Sequence, residues 1–361
     1  MNRLQKKLER IGRDPKITAK AVGLRYVSDS SPGYTRKPAK NGFNFYDADG
    51  KMVRNKELIV RFKKLVVPPA YTDIWISPYE NGHLQFTGKD AAGRKQYRYH
   101  ADWNQIRNQS KFHHVQLFAS YLPAIRAQVA KDLLRHNLDY QKVLALVVKL
   151  IELTGIRVGN DAYKKLYGSF GLTTLQNRHV RISGSGMSFE FRGKKGVYQK
   201  ISLQSKRLAR LVKQCRDIPG KELFQYYDAD GHRCTIGSGD VNNYLKEITG
   251  QDFTAKDFRT WAGSVSALYA FKNAGGFETA AECKRKIISV LDEVAGNLGN
   301  TRTVCKKYYV HPAVIKAYED GILFKYIDDL DAEDNEKTVE LNPAEKTLLK
   351  LLEHQELAKA G

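Results

Sequence analysis

The sequence runs to 361 residues, 42% of them apolar, which is enough for two domains with separate cores and excludes a disordered or fibrous chain. Sixty basic residues against 39 acidic give a formal net charge of +21, so a polyanion, nucleic acid first, is the expected partner. Four scattered cysteines with no CxxC pair, and histidines with no HExxH spacing, exclude a disulfide framework and give no sign of structural zinc.

The first 23 residues read as a basic arm. The opening "MNRLQKKLERIGRDPK" is charged throughout and has no apolar core or cleavage site, so no signal peptide is expected. From Leu24 to about residue 104, "GFNFYDADGKMV" and "DIWISPYENGHLQFTGKDAAGRKQYRYH" alternate apolar and polar residues around turn signals at Asn81-Gly82 and Ala92-Gly93. "VVPPAYTD" is a proline-broken connector. A small, mainly antiparallel β domain is the expectation.

After Trp103 the period becomes helical, in "SKFHHVQLFASYLPAIRAQVAKDLLR" and "DYQKVLALVVKLIELTGIRVGN". The longest apolar run, Val143 to Ile151, is interrupted by Lys149 and is too short to span a bilayer. Three strands follow, through "RHVRISG", "MSFEFRGKKG" and "VYQKISL", and then helices resume to about residue 314. The spacing predicts an α+β chain with a mostly helical second domain, residues 105–314, enclosing a three-stranded sheet. From Lys316 to Gly361 six basic and twelve acidic residues give a net of −6, leaving +27 on residues 1–315. Residues 315–361 therefore read as an acidic helical tail, ending in a capped amphipathic helix, "NPAEKTLLKLLEHQELA", that is expected to be solvated.

Four short elements of the helical domain hold polar groups that local sequence does not explain. They are "TGIRVGN" with Arg157, "FRGKKG" with Lys194 and Lys195, "KDFRTWAG" with Arg259, and "LGNTRTVCKKYYVHP" with Asn300, Tyr308 and Tyr309. Phosphodiester chemistry without a metal needs such a kit. Arginine's fork of donors suits a phosphate oxygen gaining charge, lysine can protonate a leaving 5′-oxygen, and tyrosine can form a reversible ester.

On these motifs the chain resembles the type IB DNA topoisomerases of the small bacterial and poxvirus-like branch, from about Leu24 to Pro312. The resemblance implies a catalytic domain of the tyrosine recombinase and type IB topoisomerase type, preceded by the β-rich DNA-binding domain. It implies Arg157 from "IRVGN", Lys194 from "RGKKG" and Arg259 from "KDFRT" as catalytic residues. Asn300 stands where poxvirus members carry histidine, and the nine-residue step from that position picks out Tyr309 as nucleophile, with Tyr308 a packing neighbour. "KQYRYH" resembles the family's DNA-contact element, which implies Gln96, Tyr97 and Tyr99 on the DNA face, with Tyr163 beside a phosphate.

The implied activity is ATP- and metal-independent relaxation of supercoiled duplex DNA through a 3′-phosphotyrosyl intermediate, with no cofactor. The implied enzyme is a monomer clamped on DNA in the cytoplasm. The alternatives are a tyrosine site-specific recombinase and a non-catalytic DNA-binding clamp. The first usually carries a histidine-x-x-arginine element, whereas Lys256 stands three residues before Arg259 here.

Overall fold

The structure, a computed structural model, describes residues 14–40, 42–91, 93–327, 330 and 339–360. Residues 1–13 of the expected basic arm and Ala92 of the second turn signal lie outside the described residues, as do 328, 329 and 331–338 of the acidic tail. The chain forms two compact units, Met1–His114 and Val115–Gly361.

In the first unit, helix α1 (Pro15–Ala21) is capped by Asp14, whose Oδ1 accepts from the amide of Lys16 at 2.8 Å. Strands β1 (Tyr34–Ala39) and β2 (Gly42–Tyr46) precede helix α2 (Lys56–Lys64), and β3 (Thr72–Ile76), β4 (Leu84–Lys89) and β5 (Lys95–Tyr99) follow it. The five strands form one antiparallel sheet in the order β2-β1-β3-β4-β5, so β5 is an edge. Phe45, Phe62, Leu65, Ile74, Ile76 and Phe86 make its core. Helix α2 is an element that the strand-like reading of this mainly β stretch did not single out. Leu58, Ile59, Phe62 and Leu65 recur at helical spacing, and Asn55 caps the first turn through its Oδ1. The proline-broken connector is pinned by Arg36, which donates to the carbonyls of Val67 at 2.7 Å, Pro68 at 2.8 Å and Tyr71 at 2.9 Å.

Helix α3 (Ala101–Leu133) begins in the first unit and ends in the second. Helix α4 (Tyr140–Thr154) carries the apolar run, and its residues 142 to 148 with Leu150 and Ile151 are buried, so it is the central helix of the second unit. Helix α5 (Asp161–Tyr167) leads to the antiparallel sheet β6 (Val180–Ser183), β7 (Gly186–Arg192) and β8 (Tyr198–Gln204), the three-stranded sheet expected. Met187, Phe189 and Phe191 alternate inward along β7. Helix α6 (Lys206–Asp217) follows, and then a hairpin of β9 (Gln225–Tyr227) and β10 (Arg233–Thr235) that three-residue strands had concealed in the sequence. Helices α7 (Ser238–Thr249), α8 (Ala255–Ala274), α9 (Ala280–Asn297), α10 (Arg302–Tyr308), α11 (Pro312–Glu319), α12 (Phe324–Ile327) and α13 (Pro343–Ala360) complete the unit.

Helix α13 corrects the expectation of a solvated end. Ala344, Leu348, Leu351 and Leu352 are buried, and the helix packs on α8, α11 and α12. Its Glu345 meets the guanidinium of Arg126 at 2.8 and 3.0 Å and accepts from Trp261 Nε1 at 2.9 Å. Arg126 in turn donates to Glu152 at 2.6 Å, and Lys149 reaches the same carboxylate at 2.8 Å. Buried charges persist only when paired in this way.

Candidate active site

Helix α4 ends at Gly155, whose φ of +62° is the left-handed cap that turns the chain outward. Ile156 is buried and anchors the turn, and Arg157 follows it. Its Nη2 donates to the carbonyl of Gly299 at 3.1 Å and to Asn300 Oδ1 at 2.6 Å. Asn300 is itself fixed, since its amide donates to the Ala295 carbonyl at 2.8 Å and its Nδ2 to that of Leu298 at 3.2 Å.

Arg259 lies on α8 and is 4% exposed. Its Nη1 donates to the carbonyl of Gly155, the last of α4, and its Nη2 to that of Leu298, the last of α9, at 2.8 Å. Two helix C-termini, each with spare carbonyls and partial negative charge, thus compensate a buried cation. The Nε of Arg259 is buried and has no hydrogen-bond partner among the described residues, a donor left open.

Tyr309 ends α10 and is 9% exposed, with Arg259 Cζ 5.1 Å from the centre of its ring. Both guanidiniums act on its side chain. Burial alone would raise the phenol's pKa, but the charge and hydrogen bond of Arg259, with the charges of Arg157 and Lys256, outweigh it and hold the group below its ordinary value. Burial and the like charge of Arg259 also lower the pKa of Arg157, and Tyr309 works in the opposite direction. Tyr308 is half-buried beside Lys307, whose Nζ lies 5.4 Å from its ring centre.

Arg157, Arg259, Asn300 and Tyr309 therefore come together from three separate stretches of chain. Lys194 is not among them. It is exposed at the β7–β8 tip, where Lys195 takes a φ of +62°, and among the described residues no hydrogen bond or ion pair holds it. A bridge nevertheless exists between tip and site. Gln199 of β8 lies against both glycines, so that a Cβ on Gly193 would meet its Cγ at 3.1 Å and one on Gly299 its Nε2 at 2.6 Å.

The DNA-contact candidates occupy two surfaces. On edge strand β5, Tyr97 and Tyr99 project to the same side, 51% and 36% exposed, with rings stacked 6.1 Å apart and 6° from parallel. Gln96 donates to Asp90 at 2.9 Å. Tyr163 is 54% exposed on α5, tilted against Tyr167 at 5.8 Å.

Sequence reasoning missed Gln199 and Ser264, and noted Lys256 only for its spacing. Ser264 is fully buried on the face of α8 turned to Tyr309, and its hydroxyl lies 3.2 Å from the Tyr309 carbonyl. Beside it, a Cβ on Gly263 would fall 2.7 Å from the same carbonyl oxygen, so only glycine permits this approach. The four-residue steps from Arg259 to Gly263 and from Thr260 to Ser264, each about one helical turn, were the available signal.

Among the described residues, Asp228, Asp230 and His232 are the groups placed close enough to share a metal ion. They sit in the β9–β10 turn, where Asp228 Oδ1 already accepts from the amides of Asp230 at 3.0 Å and His232 at 2.8 Å, so the geometry is that of a turn and carries no metal assignment.

Residues 100–333 match the family described as eukaryotic DNA topoisomerase I, catalytic core, and residues 42–90 match bacterial DNA topoisomerase IB, N-terminal domain. A DNA topoisomerase 1B of Acanthamoeba polyphaga mimivirus is 28% identical over 296 residues, 80% of this chain and 88% of the relative. The DNA topoisomerase 1B of Vaccinia virus (strain Copenhagen) is 24% identical over 239 residues, 66% and 73% of the two chains. A solved structure of XerH site-specific recombinase bound to palindromic difH substrate is 15% identical, covering 56% of this chain and 51% of the recombinase at a TM-score of 0.37, too low a likeness to build on.

Proposed function

The chain belongs to the type IB DNA topoisomerase family, and from that premise we propose that Tyr309 is the nucleophile with which it cuts DNA. The enzyme is an isomerase that acts on double-stranded DNA and relaxes it by tyrosine-linked cleavage of one strand. The recombinase alternative is disfavoured, since the curated relatives are DNA topoisomerases.

The observation that carries the assignment is the Tyr309 phenol held against two guanidiniums that draw its pKa down. As the phenolate, Tyr309 Oη attacks phosphorus and the P–O5′ bond breaks, leaving a 3′-phosphotyrosyl ester and a 5′-hydroxyl. Lys194, from the exposed hairpin tip that Gln199 links to the site, supplies the proton that the leaving oxygen needs. Arg157, the open Nε of Arg259 and the second proton of Asn300 Nδ2 hold the non-bridging oxygens as charge grows. Torsion is released while the ester stands, and the 5′-hydroxyl then attacks to reseal. The ester conserves the bond energy, so neither ATP nor a metal ion is needed.

Tyr97, Tyr99 and Gln96 on β5, with Tyr163 on α5, are proposed to meet the duplex, because stacked aromatics exposed in a basic protein suit phosphate and sugar contact. The enzyme is proposed to act as a monomer clamped on DNA in the cytoplasm. Among the described residues no helix is long and apolar enough to cross a membrane.

The test is relaxation of supercoiled plasmid in excess EDTA without ATP. Wild type and Tyr308→Phe are expected to relax it, and Tyr309→Phe is expected to form no covalent adduct. Arg259→Ala should slow cleavage by roughly 10²- to 10³-fold, the usual loss of one such charge-stabilising donor. An adduct formed by Tyr309→Phe would refute the assignment.

A further inference from the structure

Helix α8 brings more than Arg259 to the site. Lys256, Arg259, Thr260, Gly263 and Ser264 share one face at spacings of three and four, and that face runs along the chain from Tyr308 to His311. Thr260 Oγ1 lies 3.5 Å from the carbonyl of Tyr308. Ser264 Oγ accepts from the amide of His311 at 2.9 Å, and its single proton has the carbonyls of Tyr309 at 3.2 Å and Thr260 at 3.1 Å as acceptors. Bare Gly263 allows the two backbones this close. The amides of Tyr309 and Val310 both donate to the carbonyl of Cys305, and the carbonyl of His311 accepts from the amide of Val314 in α11, so the contact with Ser264 adds a tie to a third helix.

We propose that Ser264 is a positioning residue for the nucleophile: it clamps the backbone that leaves Tyr309, its carbonyl and the His311 amide, to the helix that carries Arg259, and so holds the phenol and its guanidinium as one rigid unit. The proposal rests on the reading of Tyr309 as nucleophile. It also accounts for the choice between two adjacent tyrosines. They are chemically identical, and slipping the segment by one residue would exchange them. The Ser264 hydroxyl at the Tyr309 carbonyl and the His311 amide, with Thr260 Oγ1 between the carbonyls of Lys256 at 3.3 Å and Tyr308 at 3.5 Å, sets the register that turns Tyr309 inward and leaves Tyr308 beside Lys307.

A residue that only fills the core would lower stability when changed, without altering the chemistry of molecules that remain folded. A positioning residue changes the chemistry itself. Cleavage and religation both pass through the same alignment of Tyr309 with phosphorus, so both rates fall together while the duplex is bound as before. The experiment uses the full chain and a short duplex under single-turnover conditions, well below the melting temperature, with Ser264→Ala and Ser264→Cys beside wild type. Affinity is measured in a Tyr309→Phe background, where no ester forms.

Ser264→Ala is expected to slow both cleavage and religation by roughly 10- to 100-fold, the scale of a small misplacement of a reacting group, with affinity unchanged. Ser264→Cys, which keeps the volume and weakens the hydrogen bonds, is expected to fall between it and wild type, and serves where the alanine variant does not fold. Wild-type rates in folded Ser264→Ala, with only a lower melting temperature, would overturn the proposal in favour of packing alone. A loss of affinity matching the loss of rate would overturn it in favour of a DNA contact. An adduct formed by Tyr309→Phe would instead bring down the nucleophile assignment, and the clamp with it.

Discussion

Tyr309 sits among three cations, and their contributions separate cleanly. Arg259 is buried against its ring and Arg157 partly buried beside it, whereas Lys256 is exposed and acts on it through charge. The charged form of tyrosine is the anion, so a nearby cation lowers the pKa and its removal raises it. Lys256→Gln is therefore expected to move the rise of the cleavage rate to higher pH while leaving the plateau above it unchanged. Single-turnover cleavage of a short duplex from about pH 6 to about pH 10 reads this directly, the ordinary tyrosine value being about 10. Asn300 has no titrating group and adds no limb to the profile. The residues that gather around Tyr309 were legible in the sequence because each lies in a short contiguous motif. Gln199 and Ser264 were not, because what they do depends on contacts across long stretches of chain, 45 residues in the case of Ser264 and Tyr309. A glutamine on a strand and a serine on a helix look ordinary until that contact forms.

At the scale of elements, helix α8 is held on two sides, by Tyr309 in front and through Trp261 by Glu345 of α13 behind. The second attachment depends on ionised carboxylates. Burial works to raise the pKa of Glu152, but Lys149 and Arg126 outweigh it and hold the group below the ordinary glutamate value. A carboxyl depressed on folding contributes stability that is fully present above its unfolded pKa, about 4.3, and is lost as pH falls through the lower folded value. Glu152→Gln is expected to cost on the order of 3–5 kcal/mol at neutral pH, as one partner of a buried network is lost. Its melting temperature should then fall less steeply than that of wild type as the pH is lowered below about 5, which thermal unfolding at a series of pH values checks. The sequence concealed this attachment. "NPAEKTLL" has the form of a capping box, and Glu345 does serve one, its amide donating to Asn342 Oδ1 at 2.8 Å while its carboxylate accepts from the Asn342 amide at 3.0 Å. The same carboxylate also meets Arg126, 219 residues away, which no local pattern announces. The helices and the three-stranded sheet were legible because their periods are long. Helix α2 and the β9–β10 hairpin, short pieces among turn residues, were not.

Across the whole molecule, charge is divided along the chain. Residues 1–315 carry +27 and the excess of acid lies between 316 and 340, with three basic and nine acidic residues there, while 341–361 holds three of each. Removing residues 341–361 therefore leaves the net charge at +21. DNA affinity of such a basic protein falls linearly with salt on logarithmic axes, at a slope of about −0.9 per phosphate neutralised. The shortened chain is expected to keep the wild-type slope while its melting temperature and cleavage rate drop, since it loses α13 and not charge. A change of slope would assign DNA contact to these residues instead.

Helix α13 is also a matter of timing. The proposed nucleophile Tyr309 and its proposed partners Arg157, Lys194, Arg259 and Asn300 all precede it in the chain, and so are synthesised first, yet the helix that carries Arg259 is held from behind by a side chain that arrives only at residue 345. A growing polypeptide thus holds every reagent for breaking a strand before it has the support that keeps them aligned.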